Sequence, residues 1–174
     1  MSNIIDNYAK SLFNLALLSN DLEKITSDLK YFANLIKESS DLRKFLYSKT
    51  INFNHKKLVL EKLAKSFQDI SSKFLLILIK NNRVSLIAQI QENFQLYYRR
   101  HNNIEAVQLT IANAAEGSEI EKFKEILSKS YNKNIELEVN VDSSLIAGLV
   151  LWLKNNNTLL DLSLAKEIKS LANK

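Results

Sequence analysis

Two histidines, no cysteine and two glycines give this chain of 174 residues a narrow chemical repertoire. His55 and His101 each lie beside lysine or arginine in separate helical patterns, where an imidazole is a surface group rather than a base or a metal ligand. The lack of cysteine removes any thiol nucleophile, thiolate metal site or disulfide. Asp142-Ser143-Ser144 offers hydroxyls, but no glycine-framed elbow surrounds either serine and no histidine is close in sequence, so a turn accounts for them. Glu136 and Glu138 share one face of a strand pattern and imitate an acid–base pair; the polar, outward face of a half-solvated strand explains both. Gly117 and Gly148 are too far apart for a P-loop or a GxGxxG turn, each of which needs neighbouring glycines so that backbone can approach phosphate. No catalytic constellation, cofactor motif or metal site is expected, and a binding or structural role remains.

The elements that would present a binding surface are long and regular, because proline is absent and glycine nearly so. The run Phe74-Leu75-Leu76-Ile77-Leu78-Ile79 has no polar interruption. As a helix it is apolar all round and belongs at the centre of a bundle; as a buried strand it would find no sheet partner among the helical patterns on either side. A strip of it is expected to wait for a partner. Before it, Ile4, Tyr8, Leu12 and Leu15/Ala16 mark a first helix ended by Ser19-Asn20, and Leu22, Ile25, Leu29, Phe32 and Ile36 mark a second, capped by the Asp21 side chain. A short helix follows over Asp41–Tyr47, then a fourth from near Asn54 burying Leu58, Val59, Leu63 and Phe67. The apolar helix begins at Asp69 or Ser71, and a sixth resumes at Arg83 with Leu86, Ile87, Ile90, Phe94 and Tyr97 inward.

The period changes after Asn102-Asn103. Val107, Leu109 and Ile111 alternate with Gln108 and Thr110, and Ile135, Leu137, Val139 and Val141 alternate with Glu136, Glu138 and Asn140, the two-residue period of strands. Between them Gly117 makes a turn and Ser118 with Glu121 forms a capping box that opens a helix. LVLWLK and TLLD, joined by Asn155-Asn156-Asn157, read as a hairpin, and Ser163 caps a last helix through Leu164, Ile168 and Leu171. The fold expected is mainly α, with a six-helix bundle over residues 1–102 and a small α+β domain over 103–174.

The net charge is +5, and residues 1–105 hold 16 Lys and Arg against 10 Asp and Glu, whereas residues 106–174 hold 8 against 9. The basic excess therefore lies in the first half, spread over helix faces as solvated lysines usually are. An RNA-binding bundle is the alternative, resting on Arg99-Arg100-His101 beside Tyr97-Tyr98, since arginine and aromatic side chains together hold phosphate and stack bases. No signal peptide is visible at the start, and the longest apolar runs fall short of the ~20 residues that span a bilayer.

Val141–Leu153, VDSSLIAGLVLWL, with TLLDLSLAKEIKSL after it, resembles the C-terminal signature of the delta subunit of F-type ATP synthases, the counterpart of the mitochondrial oligomycin-sensitivity-conferring protein. The matching positions are Asp142, Leu145-Ile146, Ala147-Gly148 and Asp161-Leu162-Ser163. YAKSLFNLA near the start and KNNRVSLI, with Arg83, are similar to that family's first helix and to the turn entering its sixth. Asn82, Asn155 and Leu162 stand at or near places where the family commonly has glycine; asparagine tolerates left-handed backbone, and leucine does not.

The resemblance implies a non-catalytic stator subunit without cofactor. In that family the helical domain takes the N-terminal helix of an alpha subunit of the catalytic head between its first and fifth helices. The C-terminal domain grips the b subunits of the peripheral stalk. Carried over by position, Tyr8, Leu12, Leu15, Ile77, Leu78 and Lys80 become groove residues, while Arg83, Asp142, Leu145, Gly148, Asp161 and Ser163 shape the fold. The implied location is the cytoplasmic face of the plasma membrane, without insertion and without a nucleic-acid partner.

Overall fold

A computed structural model describes residues 2–113, 117–143, 145 and 149–161. The chain divides into two compact units, Met1–Tyr98 and Arg99–Lys174.

The first unit is helical: α1 (Ser2–Leu18), α2 (Leu22–Glu38), α3 (Ser40–Tyr47), α4 (Phe53–Leu63), α5 (Asp69–Lys80) and α6 (Ile87–His101), the last continuing past the division at Tyr98. A single 3-10 turn, Val84–Leu86, leads into α6. Spacings of three and four place Ala9, Leu12, Phe13 and Ala16 of α1, and Ile25, Leu29, Phe32 and Ile36 of α2, inside one core. Phe74, Leu75, Leu78 and Ile79 of α5 join them, with Ile87, Ile90 and Phe94 of α6. The six-residue apolar run is thus a helix.

Three local expectations need correction. Asp21 precedes α2 but makes no cap bond through its side chain, whose Oδ1 instead accepts from Lys24 Nζ at 3.3 Å. Its backbone is occupied in closing α1, its N–H donating to Ala16 O at 3.2 Å, and at φ −109°, ψ 23° it lacks the extended conformation that a side-chain cap requires. The serine before α3 does cap: Ser39 Oγ accepts from Leu42 N–H at 3.2 Å, and the helix starts at Ser40 rather than Asp41. On α4 the buried line is Lys56, Leu60 and Ala64, whereas Leu58 is 56% exposed and Val59, Leu63 and Phe67 are half-buried. The helix is rotated from the orientation that its leucines and valine suggest, because the Lys56 ammonium finds two backbone carbonyls inside, Leu46 O at 2.8 Å and Ser48 O at 2.5 Å.

The second unit holds β1 (Ile104–Ile111), α7 (Gly117–Tyr131), β2 (Asn134–Val141), β3 (Leu149–Leu153) and β4 (Thr158–Asp161). The sheet order is β2-β1-β3-β4, with β1 parallel to β2 across the α7 connection and the pairs β1–β3 and β3–β4 antiparallel. Val107 stands in register with Leu137 on one side and Leu153 on the other, so one face collects Val107, Leu109, Ile135, Leu151 and Leu153 against Leu127 of α7. Being central, β1 also buries Glu105, whose Oε2 accepts from Lys133 Nζ at 2.6 Å. The capping box is another correction: α7 begins at Gly117, which is therefore helical, and Ser118 lies inside the first turn rather than ahead of it. The expected last helix, with Ser163, Leu164, Ile168 and Leu171, lies outside the described residues, as do Gly148 and Leu162.

Candidate partner-binding surface

α1 carries two adjacent apolar lines. Ala9, Leu12, Phe13 and Ala16 form the buried one. Ile4, Tyr8, Leu15 and Leu18, spaced by about one or two helical turns, form the second and reach the surface: Ile4 is 40%, Leu15 52% and Leu18 83% exposed, with Tyr8 half-buried. On α5 the residue with the same status is Ile77, 49% exposed although its sequence neighbours Leu75, Leu78 and Ile79 are inside.

Tyr8 ties the two helices together. Its ring meets Phe74 edge-on at 6.0 Å between centroids, interplanar angle 75°, and its hydroxyl oxygen accepts from Arg83 at 2.9 Å and from Asn81 at 3.2 Å. The Arg83 guanidinium also stands over the ring, 5.7 Å from its centroid. Packing below and polar bonds beyond fix the tyrosine, leaving a surface of apolar side chains bordered by the exposed Lys80, Asn81 and Arg83.

The six residues expected to face a partner divide here. Tyr8, Leu15, Ile77 and Lys80 are at least partly accessible. Leu12 and Leu78, at 1% and 0% exposure, are interior and can only support the surface from beneath. Ile4 and Asn81 belong with the accessible set; the signal for Ile4 was its position one turn before Tyr8. Chemically the arrangement suits an apolar helix laid on α1 and α5, and it contains no proton-transfer pair. His55 and His101 are exposed.

On the other unit, Asp142 N–H donates to Ile111 O at 2.9 Å and its carbonyl accepts from Leu145 N–H at 3.1 Å, so both residues shape the turn after β2. Asp161 stands in register with Val150 at the end of β4. The face of the sheet away from α7 carries charge pairs: Arg99 Nε donates to Glu136 Oε2 at 2.9 Å and Lys154 Nζ donates to Glu138. The Lys154 ammonium holds the Glu138 carboxyl below its usual range, which marks Glu138 as an ionised partner rather than an acid–base group. Trp152 is 39% exposed on the same face, with its indole N–H donating to Asn157 Oδ1 at 3.1 Å.

Residues 4–174 match the family described as ATP synthase delta (OSCP) subunit. This chain belongs to that family. The ATP synthase subunit delta of Rickettsia prowazekii (strain Madrid E) is 33% identical over 172 residues, which is 98% of this chain and 93% of that protein. That of Rickettsia massiliae (strain Mtu5) is 32% identical over 171 residues, 97% of this chain and 92% of that protein. In fold, the chain is similar to a chain in the Toxoplasma gondii mitochondrial ATP synthase hexamer, with TM-score 0.77 at 24% identity, covering 97% of this chain and 95% of that one. A chain in the Polytomella F-ATP synthase gives TM-score 0.52 at 20% identity over 56% of this chain and 87% of that one.

As a member of the delta (OSCP) family the protein is a non-catalytic, peripheral-stalk subunit of an F-type ATP synthase. The RNA-binding alternative has no support among these relatives. No helix among the described residues is long and apolar enough to cross a membrane.

Proposed function

We propose that this delta subunit is the joint between catalytic head and stalk, its helical unit receiving the N-terminal helix of an alpha subunit on the Ile4–Tyr8–Leu15–Ile77 surface. The α+β unit grips the b subunits of the stalk, at the cytoplasmic face of the plasma membrane. The observation that carries the head contact is the exposure of Ile4, Leu15 and Ile77 on α1 and α5 around a tyrosine held from both helices. An amphipathic helix docks through apolar anchors one turn apart, and α1 offers anchors at that spacing. Lys80 and Arg83 at the border favour an acidic or carbonyl-rich end of the incoming helix.

The test is titration of the full chain with a synthetic peptide of the alpha subunit's N-terminal helix. Ile77→Asp and Leu15→Asp each weaken binding by roughly tenfold or more, the loss expected when an apolar anchor is replaced by a charge. Leu58→Asp, on an exposed position of α4, leaves affinity unchanged. Equal affinity for all three variants removes the assignment. Leu12→Asp does not serve, since a carboxylate at a 1% exposed position disrupts the core whether or not the surface binds anything.

A further inference from the structure

Lys56 is the buried cation of the helical unit: it is 2% exposed, and among the described residues its polar partners are carbonyls, Leu46 O at 2.8 Å and Ser48 O at 2.5 Å, with no carboxylate in reach. An ammonium has three N–H donors, and these bonds use two. Burying a charge against dipoles alone is costly, and desolvation accordingly pushes the Lys56 ammonium below its usual range. Lys56 also borders a partly open cavity of about 370 Å³. Lys49 and Lys80 line the same cavity, with Thr50, Asn52 and Asn82, and no aspartate or glutamate is among its lining residues.

The N-terminal end of α4 opens there too. Asn52 is its N-cap, with Oδ1 accepting from Asn54 N–H at 2.9 Å, and the first turn of a helix adds partial positive charge. Capping of α3 explains the two carbonyl bonds of Lys56. It does not explain why Lys49 and Lys80 converge on the same cavity with a helix N-terminus and no balancing acid.

We propose that this cavity is a binding site for a small tetrahedral oxyanion of the phosphate class, held among the lining residues Lys56, Lys49 and Lys80, with Thr50 and Asn52 as neutral donors. The site needs no partner chain; it shares Lys80 with the border of the apolar surface, whereas Lys49, Thr50 and Lys56 are not among the residues of that surface.

The test is a nuclear magnetic resonance titration of the full chain with inorganic phosphate and with sulfate, against sodium chloride at matched ionic strength and sodium acetate as a carboxylate. Saturable shifts confined to the amides of residues 49–56 and 79–82 are expected for phosphate and sulfate. Lys49→Gln, at an exposed position where folding is unaffected, weakens the apparent affinity about three- to fivefold, as loss of one partly screened charge should. Lys56→Met abolishes saturation; if that variant does not fold, the combined Lys49→Gln and Thr50→Val chain supplies the second measurement, with a larger loss than Lys49→Gln alone. Shifts that chloride reproduces, tighter binding of acetate than of either tetrahedral ion, or affinities unmoved by the Lys49 and Thr50 changes would overturn the site.

Discussion

Five asparagines, Asn20, Asn82, Asn103, Asn132 and Asn157, have positive φ between 51° and 57°. Four of them follow α1, α5, α6 and α7, where a left-handed residue lets the chain turn while the last carbonyls are satisfied. At α1 the bonds are Asp21 N–H to Ala16 O, 3.2 Å, and Asn20 N–H to Leu17 O, 3.2 Å; at α5 they are Arg83 N–H to Leu78 O, 2.8 Å, and Asn82 N–H to Ile79 O, 3.0 Å. One of the five was legible beforehand: Asn82 stands where the family commonly has glycine and has the left-handed backbone that makes the exchange sensible, whereas in the hairpin turn the left-handed residue is Asn157 rather than Asn155. Asn20→Gly should therefore leave stability unchanged or raise it by a few tenths of a kcal/mol, whereas Asn20→Val should lower it by ~1–2 kcal/mol, as read from urea denaturation midpoints.

At the scale of elements, α5 and α4 show what a side-chain pattern can and cannot fix. Six apolar residues in a row fit a buried strand or a central helix, the helical patterns on either side favoured the helix, and α5 buries Phe74, Leu75, Leu78 and Ile79. Which of the six stays outside depended on where α1 crosses, and the answer is Ile77. α4 was misread because a lysine counts as polar in any periodicity, yet Lys56 is inside with both carbonyl bonds made at the C-terminal end of α3. Leu60→Ala should cost ~2–5 kcal/mol of unfolding free energy, and Leu58→Ala no more than ~0.5 kcal/mol. Equal effects in denaturant titrations would mean that α4 presents the other face.

At the scale of the whole molecule, each unit has its own core. Among the described residues the helical unit buries nineteen apolar side chains in one cluster, and the α+β unit six. A smaller core supports less stability, because less apolar surface leaves water per residue that must be ordered. Trp152 is the chain's one tryptophan and lies in β3, so its fluorescence reports on the α+β unit, while the far-ultraviolet circular dichroism signal is dominated by α1–α6. In urea the fluorescence midpoint should fall below the dichroism midpoint; coincident transitions would show the chain unfolding as one cooperative body.

The sequence by itself determined the kinds and order of the elements, helices then an α7-linked sheet, because the periods of 3.6 and 2 are local properties of backbone geometry. It also excluded glycine-rich phosphate loops and thiol chemistry, since those need residues this chain does not have. Only the tertiary structure decided which side chains of an apolar helix stay accessible, that Leu12 and Leu78 are core while Leu15 and Ile77 face out, and that Lys56, Lys49 and Lys80 share one cavity. Those outcomes depend on how helices distant in sequence cross and on which carbonyls a buried charge can reach, and no spacing along one helix contains that information.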